Sequence, residues 1–376
     1  MNLILDMSGK KKLRVMIAGG GTGGHLYPGI ALAQEFQKRW SSRIMFVGTA
    51  YGIENKVLPK HPYEFKRIWM RGLQRKLSLA NLIFPLRLVV SLVQCTFLIL
   101  TFKPNVVIGT GGYVSGPALM MAITFRIPTV IQEQNSYPGL VNRLLGKWVS
   151  QVHVMFEESI PYFKGQSDIF VSGNPVRGGF NLVNKKAALK KLNLQEDKLT
   201  LFVFGGSQGA HAINQAVLNS IEELKELPGL QILWATGPHD SKIVTDKCGA
   251  DPGISNHEFI EDMASAYAAA DFVLCRSGAT TLAEIAICGL PAILVPYPYS
   301  AGGHQEFNAK ARETTGAAIM ILEKSLNKET LVSTISDFSN NPERRESMSK
   351  AAVRLAKPNA AGDIAVKIKP LLKNIA

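Results

Sequence analysis

The 376-residue sequence has only four cysteines, Cys95, Cys248, Cys275 and Cys288, and no Cys-x-x-Cys pair among them. Neither a disulfide framework nor a thiolate metal site is expected, and a reduced cytosolic setting fits. No Asp-x-Asp signature is present to hold a metal, and no Gly-Lys-Ser/Thr ending makes a P-loop. Aromatic residues are 8% of the chain. Without an interleaved basic and aromatic surface or a known motif, a nucleic-acid-binding module is disfavoured. The start, MNLILDMSGKKKLRVMIAGG, has no long apolar segment after its lysines and no Ala-x-Ala site, so it does not read as a signal peptide. Long apolar runs are nearly absent too. Pro85 and Arg87 interrupt the stretch Leu79 to Phe102, and its clean part, Leu88–Phe102, would be about 22 Å of helix against a hydrocarbon core of ~30 Å. Two readings stay open for it: a buried helix, or an apolar face dipping into a membrane surface beside Arg71, Arg75, Lys76 and Arg87.

What is present is length for two domains and an excess of positive charge, 42 Lys/Arg against 29 Asp/Glu. The excess is one-sided. Residues 1–174 carry 20 and 8, a net of +12, whereas residues 175–376 carry 22 and 21, a net of +1. An anionic surface or ligand is therefore expected at the first half only.

Short Val/Ile/Leu/Phe-rich runs alternate with helix-length amphipathic segments, the pattern of βαβ units around parallel sheets. Strands are expected near Arg14–Ala18, Arg43–Val47, Val106–Thr110, Thr129–Gln132, Gln151–Met155 and Asp168–Val171. A second series is expected near Leu199–Phe204, Gln231–Ala235, Ser255–Phe259, Phe272–Cys275, Ala292–Pro296 and Ala317–Ile321. The Gly- and Pro-rich stretch Ser172 to Gly179 lies between the series and reads as the connector.

Each half opens with a strand running into glycines and a helix. Gly19-Gly20-Gly21-Thr22-Gly23-Gly24-His25 follows the first strand, with Pro28 expected in the first helical turn. Backbone N–H groups and a helix N-terminus there suit an anion. The letters also satisfy G-x-G-x-x-G, but the dinucleotide fingerprint needs an acidic residue at the end of the second strand. That strand ends Val47-Gly48-Thr49-Ala50, with no carboxylate before Glu54, so an NAD-dependent dehydrogenase is disfavoured. The second turn is Gly205-Gly206-Ser207-Gln208-Gly209-Ala210-His211. A third group, Arg276-Ser277-Gly278-Ala279, opens a helix on which Thr280 and Glu284 share a face. A helix start for phosphates with a carboxylate one turn above it suits a nucleoside diphosphate. Helix capping alone remains the alternative.

These motifs, with Gly111-Gly112-Tyr113-Val114-Ser115-Gly116-Pro117, Glu133-Gln134-Asn135 and Gly173-Asn174-Pro175-Val176-Arg177, resemble the MurG family in order and over nearly the whole chain. That family comprises the UDP-N-acetylglucosamine transferases of peptidoglycan synthesis. The resemblance implies an α/β protein of two Rossmann-like domains facing across a cleft, the B-type glycosyltransferase fold. It implies an acceptor- and membrane-facing domain over 1–174, with helix 358–376 packing back on it, and a UDP-sugar-binding domain over 175–357. The reaction implied is transfer of N-acetylglucosamine from UDP to undecaprenyl-diphosphate-linked MurNAc-pentapeptide, lipid I to lipid II. The donor would meet Thr22, Gly23, Gly24, Asn135, Arg177, Ser207, Ile260, Ala279, Thr280, Thr281, Leu282, Ala283, Glu284 and Gln305. Ile260 would meet the uracil edge through its backbone, Glu284 the ribose, and Ser207 the diphosphate. Two positions depart from the family pattern. Gln132 stands where many relatives have His, and His304 replaces the first residue of a Gln-Gln pair.

Inverting transfer requires a base for the acceptor hydroxyl and positive potential for the departing diphosphate. His25 is the candidate base, since an ordinary imidazole pKa near 6.5 suits the role. A helix-cap or phosphate-contacting role for His25 stays open, and Glu133 is the alternative base or an orienting partner. His211 reads as structural. Helix starts and Arg177 would handle leaving-group charge without a metal, so activity should survive EDTA, and no cofactor is expected. The Gly111, Gly112 and Ser115 turn could receive the lipid diphosphate. A membrane patch would combine Leu79, Leu82, Ile83 and Phe84 with Arg75, Lys76 and Arg87 at the cytoplasmic face of the plasma membrane. Besides donor, lipid I and anionic bilayer, cell-wall or division proteins are further expected partners. A UDP-sugar 2-epimerase could share fold and donor, but would not need the basic half.

Overall fold

The computed structural model describes residues 12–72, 82–165, 167–176, 178–180, 183–249 and 251–372. The chain divides into two compact units, Met1–Val176 with Asn359–Ala376, and Arg177–Pro358. Each is built on one parallel sheet.

In the first unit the strands are β1 (Leu13–Gly19), β2 (Ser42–Gly48), β3 (Glu64–Arg67), β4 (Val106–Gly111), β5 (Thr129–Glu133), β6 (Gln151–Val154) and β7 (Asp168–Val171), in spatial order β3-β2-β1-β4-β5-β6-β7. Both faces are covered, so the inner strands bury alternate residues on opposite sides. Leu13, Val15 and Ile17 join one core with Leu26, Ile30 and Phe36 of helix Gly23–Arg39. Met16 and Ala18 join the other, with Cys95, Ile99, Ala118 and Leu119. The C-terminal helix Ala360–Ile368 returns to the first of these cores through Ile364 and Ile368, and its Lys367 carbonyl accepts from Gln151 Nε2 at 2.9 Å.

The second unit carries β8 (Leu199–Phe204), β9 (Leu230–Ala235), β10 (Ile254–His257), β11 (Phe272–Cys275), β12 (Ala292–Leu294) and β13 (Ala318–Met320), in order β10-β9-β8-β11-β12-β13. Its core runs from Val203, Ile213 and Trp234 to Phe272, Ile335 and Phe338.

All twelve expected strands form. The one missed among the described residues, β3, is a half-exposed edge strand of sequence Glu-Phe-Lys-Arg and has no continuous apolar run to betray it. Two helix expectations are corrected. Pro28 sits at the sixth residue of Gly23–Arg39, in the second turn, because the helix already starts inside the glycine run. The helix expected from Leu88 begins at Phe84 and holds Pro85 in its first turn, where a missing N–H costs nothing. In both sheets the strand order reverses beside the first strand, between β1 and β4 and between β8 and β11, where open α/β sheets form ligand crevices at the strands' carboxyl ends.

Candidate functional site

At the first of these switch points three motifs meet. The turn after β1 leads into helix Gly23–Arg39, with Thr22 as its extended N-cap and His25 in its first turn. Gly111, at the end of β4, has φ 109°, and a Cβ there would lie 2.5 Å from His25 Nδ1. The ring therefore rests on bare backbone. From the end of β5, Gln134 Oε1 reaches His25 Nδ1 at 3.0 Å. The Gln134 NH2 donates to the carbonyls of Thr110 (2.7 Å) and Gln132 (3.1 Å) and to the Gln132 side chain, whose own NH2 points to Asn174 Oδ1 at 3.4 Å. With the amide pinned this way its oxygen must face His25. The imidazole then carries its proton on Nδ1, leaving Nε2 as the acceptor.

Glu133 is not placed as a base. It is 1% exposed; Oε1 accepts from Asn135 N (2.9 Å) and Nδ2 (3.2 Å), and Oε2 from Gly139 N (3.0 Å) and Asn142 Nδ2 (2.8 Å). Its four hydrogen bonds organise residues 135–142, including Asn135. Ser115 is likewise committed: fully buried, its hydroxyl donates to Gly112 O at 2.8 Å, so it stiffens the turn rather than offering a proton to a diphosphate.

At the second switch point, β11 runs through Arg276 and Ser277 into helix Ala279–Ile287, whose N-cap Gly278 brings no side-chain cap. Ser277 does not cap it either. Its hydroxyl donates to Gln305 O at 2.7 Å, while Asn308 Nδ2 donates to Ser277 O at 3.2 Å, tying this helix start to that of His304–Thr314. Gln305 Oε1 accepts from Tyr297 N at 3.0 Å, and His304 Nδ1 donates to Ala301 O at 2.7 Å. Arg276 is a clamp: it donates to the carbonyls of Val295 and Pro296, both at 3.1 Å, and pairs with Glu323 at 2.5 Å. Leu282 belongs to the core, so only its main chain is available to a ligand, whereas Thr280 and Thr281 are half-buried. Glu284, one turn in, accepts from the buried Tyr267 hydroxyl at 2.9 Å. Burial, and then the Glu284 charge, push the Tyr267 hydroxyl pKa upward, so it stays a donor. Ser207 is exposed on the turn after β8, and Ile260 is buried in the loop after β10. His211, 74% exposed, pairs through Nδ1 with Asp240 at 2.8 Å. Arg177 lies outside the described residues.

Comparison with known proteins places the chain in a family. Residues 15–154 match the glycosyltransferase family 28 N-terminal domain and residues 200–365 its C-terminal domain. A protein of Desulforamulus reducens named UDP-N-acetylglucosamine–N-acetylmuramyl-(pentapeptide) pyrophosphoryl-undecaprenol N-acetylglucosamine transferase is 42% identical over 369 residues, covering 96% of this chain and 99% of its own. One of the same name from Syntrophus aciditrophicus is 44% identical over 356 residues, 94% and 97% of the two chains. The crystal structure of Acinetobacter baumannii MurG superposes with TM-score 0.77 at 28% identity, covering 95% of this chain and 99% of that one. The chain belongs to the MurG family. Its two parallel-sheet domains have the B-type glycosyltransferase fold. A UDP-GlcNAc 2-epimerase from Neisseria meningitidis shares that fold, with TM-score 0.66 at 14% identity.

In this MurG-family chain, the helix Phe84–Phe102 shows a surface that sequence left undecided. Only Ser91, Cys95, Ile99 and Phe102 are buried. Leu82 (75% exposed), Leu86, Val89, Val93 (66%), Phe97 (67%) and Leu100 form a stripe along the opposite side, at the three- and four-residue spacing of one helical face. The purely buried reading is thereby corrected. Of the expected patch, Leu82 and Ile83 are exposed, but Phe84 is turned toward the core, since two residues on from Leu82 is the far side of a helix. Arg87 lies over the half-exposed Trp69 ring, 5.6 Å from its centroid. Arg75, Lys76 and Leu79 lie outside the described residues. The unit boundaries also sharpen the charge asymmetry: the first unit carries 23 Lys/Arg against 9 Asp/Glu, net +14, and the second 19 against 20, net −1.

Sequence reasoning missed Gln134 and Tyr267 as parts of the site. Gln134 was legible only as a letter between Glu133 and Asn135. Tyr267 is 17 residues from Glu284, and only the packing of β8 and β11 with helix Met263–Ala269 brings them together.

Proposed function

We infer that this protein is an inverting hexosyltransferase that moves N-acetylglucosamine from UDP-N-acetylglucosamine to the muramoyl sugar of undecaprenyl-diphosphate-linked MurNAc-pentapeptide, making lipid II for peptidoglycan. The observation that carries the reading is identity above 40%, along nearly the whole chain, to transferases of that name. In this reading His25 Nε2 takes the proton of the acceptor hydroxyl as its oxygen attacks the anomeric carbon, while Gln134 holds Nδ1–H. Glu284 accepts from the ribose hydroxyls, the amide of Gln305 serves a sugar hydroxyl, and Ile260 offers its main chain to the uracil. Ser207, the helix start at Ala279 with Thr280, Thr281 and Ala283, and Arg177 receive the diphosphate, whose growing charge the helix dipole favours. Thr22, Gly23, Gly24 and Asn135 complete the donor contacts, and the N–H groups around Gly111 and Gly112 take the acceptor diphosphate. The protein works at the cytoplasmic face of the plasma membrane: the net charge of +14 and the apolar stripe support binding to an anionic bilayer.

The test is transfer of labelled N-acetylglucosamine from UDP to a lipid I analogue by wild type, His25→Ala and Glu284→Ala. Wild-type transfer, a large fall in kcat for His25→Ala and a raised donor KM for Glu284→Ala are expected. No wild-type transfer overturns the function, and full activity in both variants overturns the site.

A further inference from the structure

The first glycine-rich turn already holds an anion of its own. Glu54, from the short helix Glu54–Val57 after β2, is fully buried. Its Oε2 accepts the Gly21 N–H at 2.8 Å, and its Oε1 accepts Thr49 N (2.8 Å) and Thr49 Oγ1 (2.9 Å). The backbone is shaped around this carboxylate. A Cβ at Gly20 would lie 2.6 Å from Glu54 Cδ, one at Gly48 2.6 Å from Cγ, and one at Gly52 2.0 Å from Oε2. Three glycines thus line a pocket for one side chain whose partners in these bonds are all neutral donors. A buried carboxylate is retained only where such donors replace its water. The Gly21 N–H, which the sequence offered to a ligand anion, is therefore occupied from inside the protein.

The turn is gripped from the other side as well, since a Cβ at Gly112 would lie 2.7 Å from Gly20 O. Between these two contacts the chain passes to Thr22 and into the helix whose first turn bears His25. We propose that Glu54 is a positioning residue for sugar transfer: its carboxylate fixes the Gly19–Gly24 turn, and so sets where His25 meets Gln134 and the acceptor hydroxyl. This role rests on the transferase reading above. It requires Glu54 to act on kcat, through the placement of the base, more than on donor affinity.

Three measurements test it. In Glu54→Ala, kcat for transfer to the lipid I analogue is expected to fall about 10- to 100-fold, and Glu54→Gln less, with donor KM within about threefold of wild type. Formate or acetate, which fit the vacated space between Gly21 N and Thr49 N, are expected to restore part of the Glu54→Ala rate and none of the His25→Ala rate. In amide NMR spectra the Gly21 and Thr49 signals are expected far downfield in the wild type and moved upfield in Glu54→Gln, with His25 ring signals shifting alongside. Wild-type kcat in Glu54→Ala overturns the proposal. So does a loss that no small carboxylate rescues in a variant that still folds, or a Glu54→Gln spectrum unchanged at Gly21 and His25. Should the wild type itself transfer no sugar, the transferase reading fails, and the spectra alone decide whether Glu54 sets the turn.

Discussion

His25 Nδ1 lies 3.0 Å from Gln134 Oε1, and the Gln134 amide is held so that only its oxygen can face the imidazole. A neutral amide orients the ring without adding charge, as a carboxylate there would. Gln134→Ala removes that hold on the ring, and kcat should fall about tenfold with donor KM nearly unchanged. Wild-type kcat in steady-state assays of Gln134→Ala would show that the ring needs no such partner.

Tyr267 and Glu284 give a second prediction. The 2.9 Å hydrogen bond from the buried hydroxyl orients the carboxylate assigned to the ribose. Tyr267→Phe removes that donor and keeps the ring that packs against Phe180, Phe202 and Phe204. Donor KM should rise about three- to tenfold with kcat nearly unchanged, the effect of a hydrogen bond worth about 1 kcal/mol. Steady-state kinetics with varied UDP-N-acetylglucosamine decide it.

The exposed stripe on helix Phe84–Phe102 predicts lipid dependence. Co-sedimentation with vesicles should require anionic lipid and weaken as salt rises. Val93→Asp with Phe97→Asp should abolish binding while transfer to a short-chain, water-soluble acceptor continues. Equal binding to neutral vesicles at high salt would count against the membrane face.

Stability in mild acid should depend on His153. Burial first, and then the charge of Lys367, hold its pKa down at about 4, and it hydrogen-bonds Ser172 Oγ at 2.8 Å and Gln151 Oε1 at 3.2 Å. Between about pH 6.5 and 4 the unfolded chain therefore binds a proton that the folded chain refuses, so stability falls as pH falls through that window and levels off below it. The full loss is on the order of 3 kcal/mol. Urea unfolding at pH 7.5 and 5 should show it, and His153→Gln should flatten the difference.

The regular part of the fold was legible because parallel strands buried on both faces must be apolar throughout, as in Leu201–Phe204 or Val106–Ile108. β3 escaped because an edge strand carries no such demand. The glycine-rich turns, His25 and Glu284 were visible as local signatures, since a strand-to-helix turn and a one-turn spacing are set by a few consecutive residues.

Sequence by itself therefore determined the two-sheet architecture, the family and the positions of the chemistry-bearing motifs, along with the charge concentrated in one half. Tertiary structure alone decided what each side chain is free to do. Glu133 and Ser115 look like reactive groups in sequence and are committed to hydrogen bonds in the fold. Gln134, Tyr267 and Glu54 look unremarkable and hold the reactive groups in place. The reason is physical: a buried polar atom must be satisfied by whatever partner the fold brings to it, and in the bonds Glu54–Gly21, Gln134–His25 and Tyr267–Glu284 the partners lie 17 to 109 residues apart along the chain.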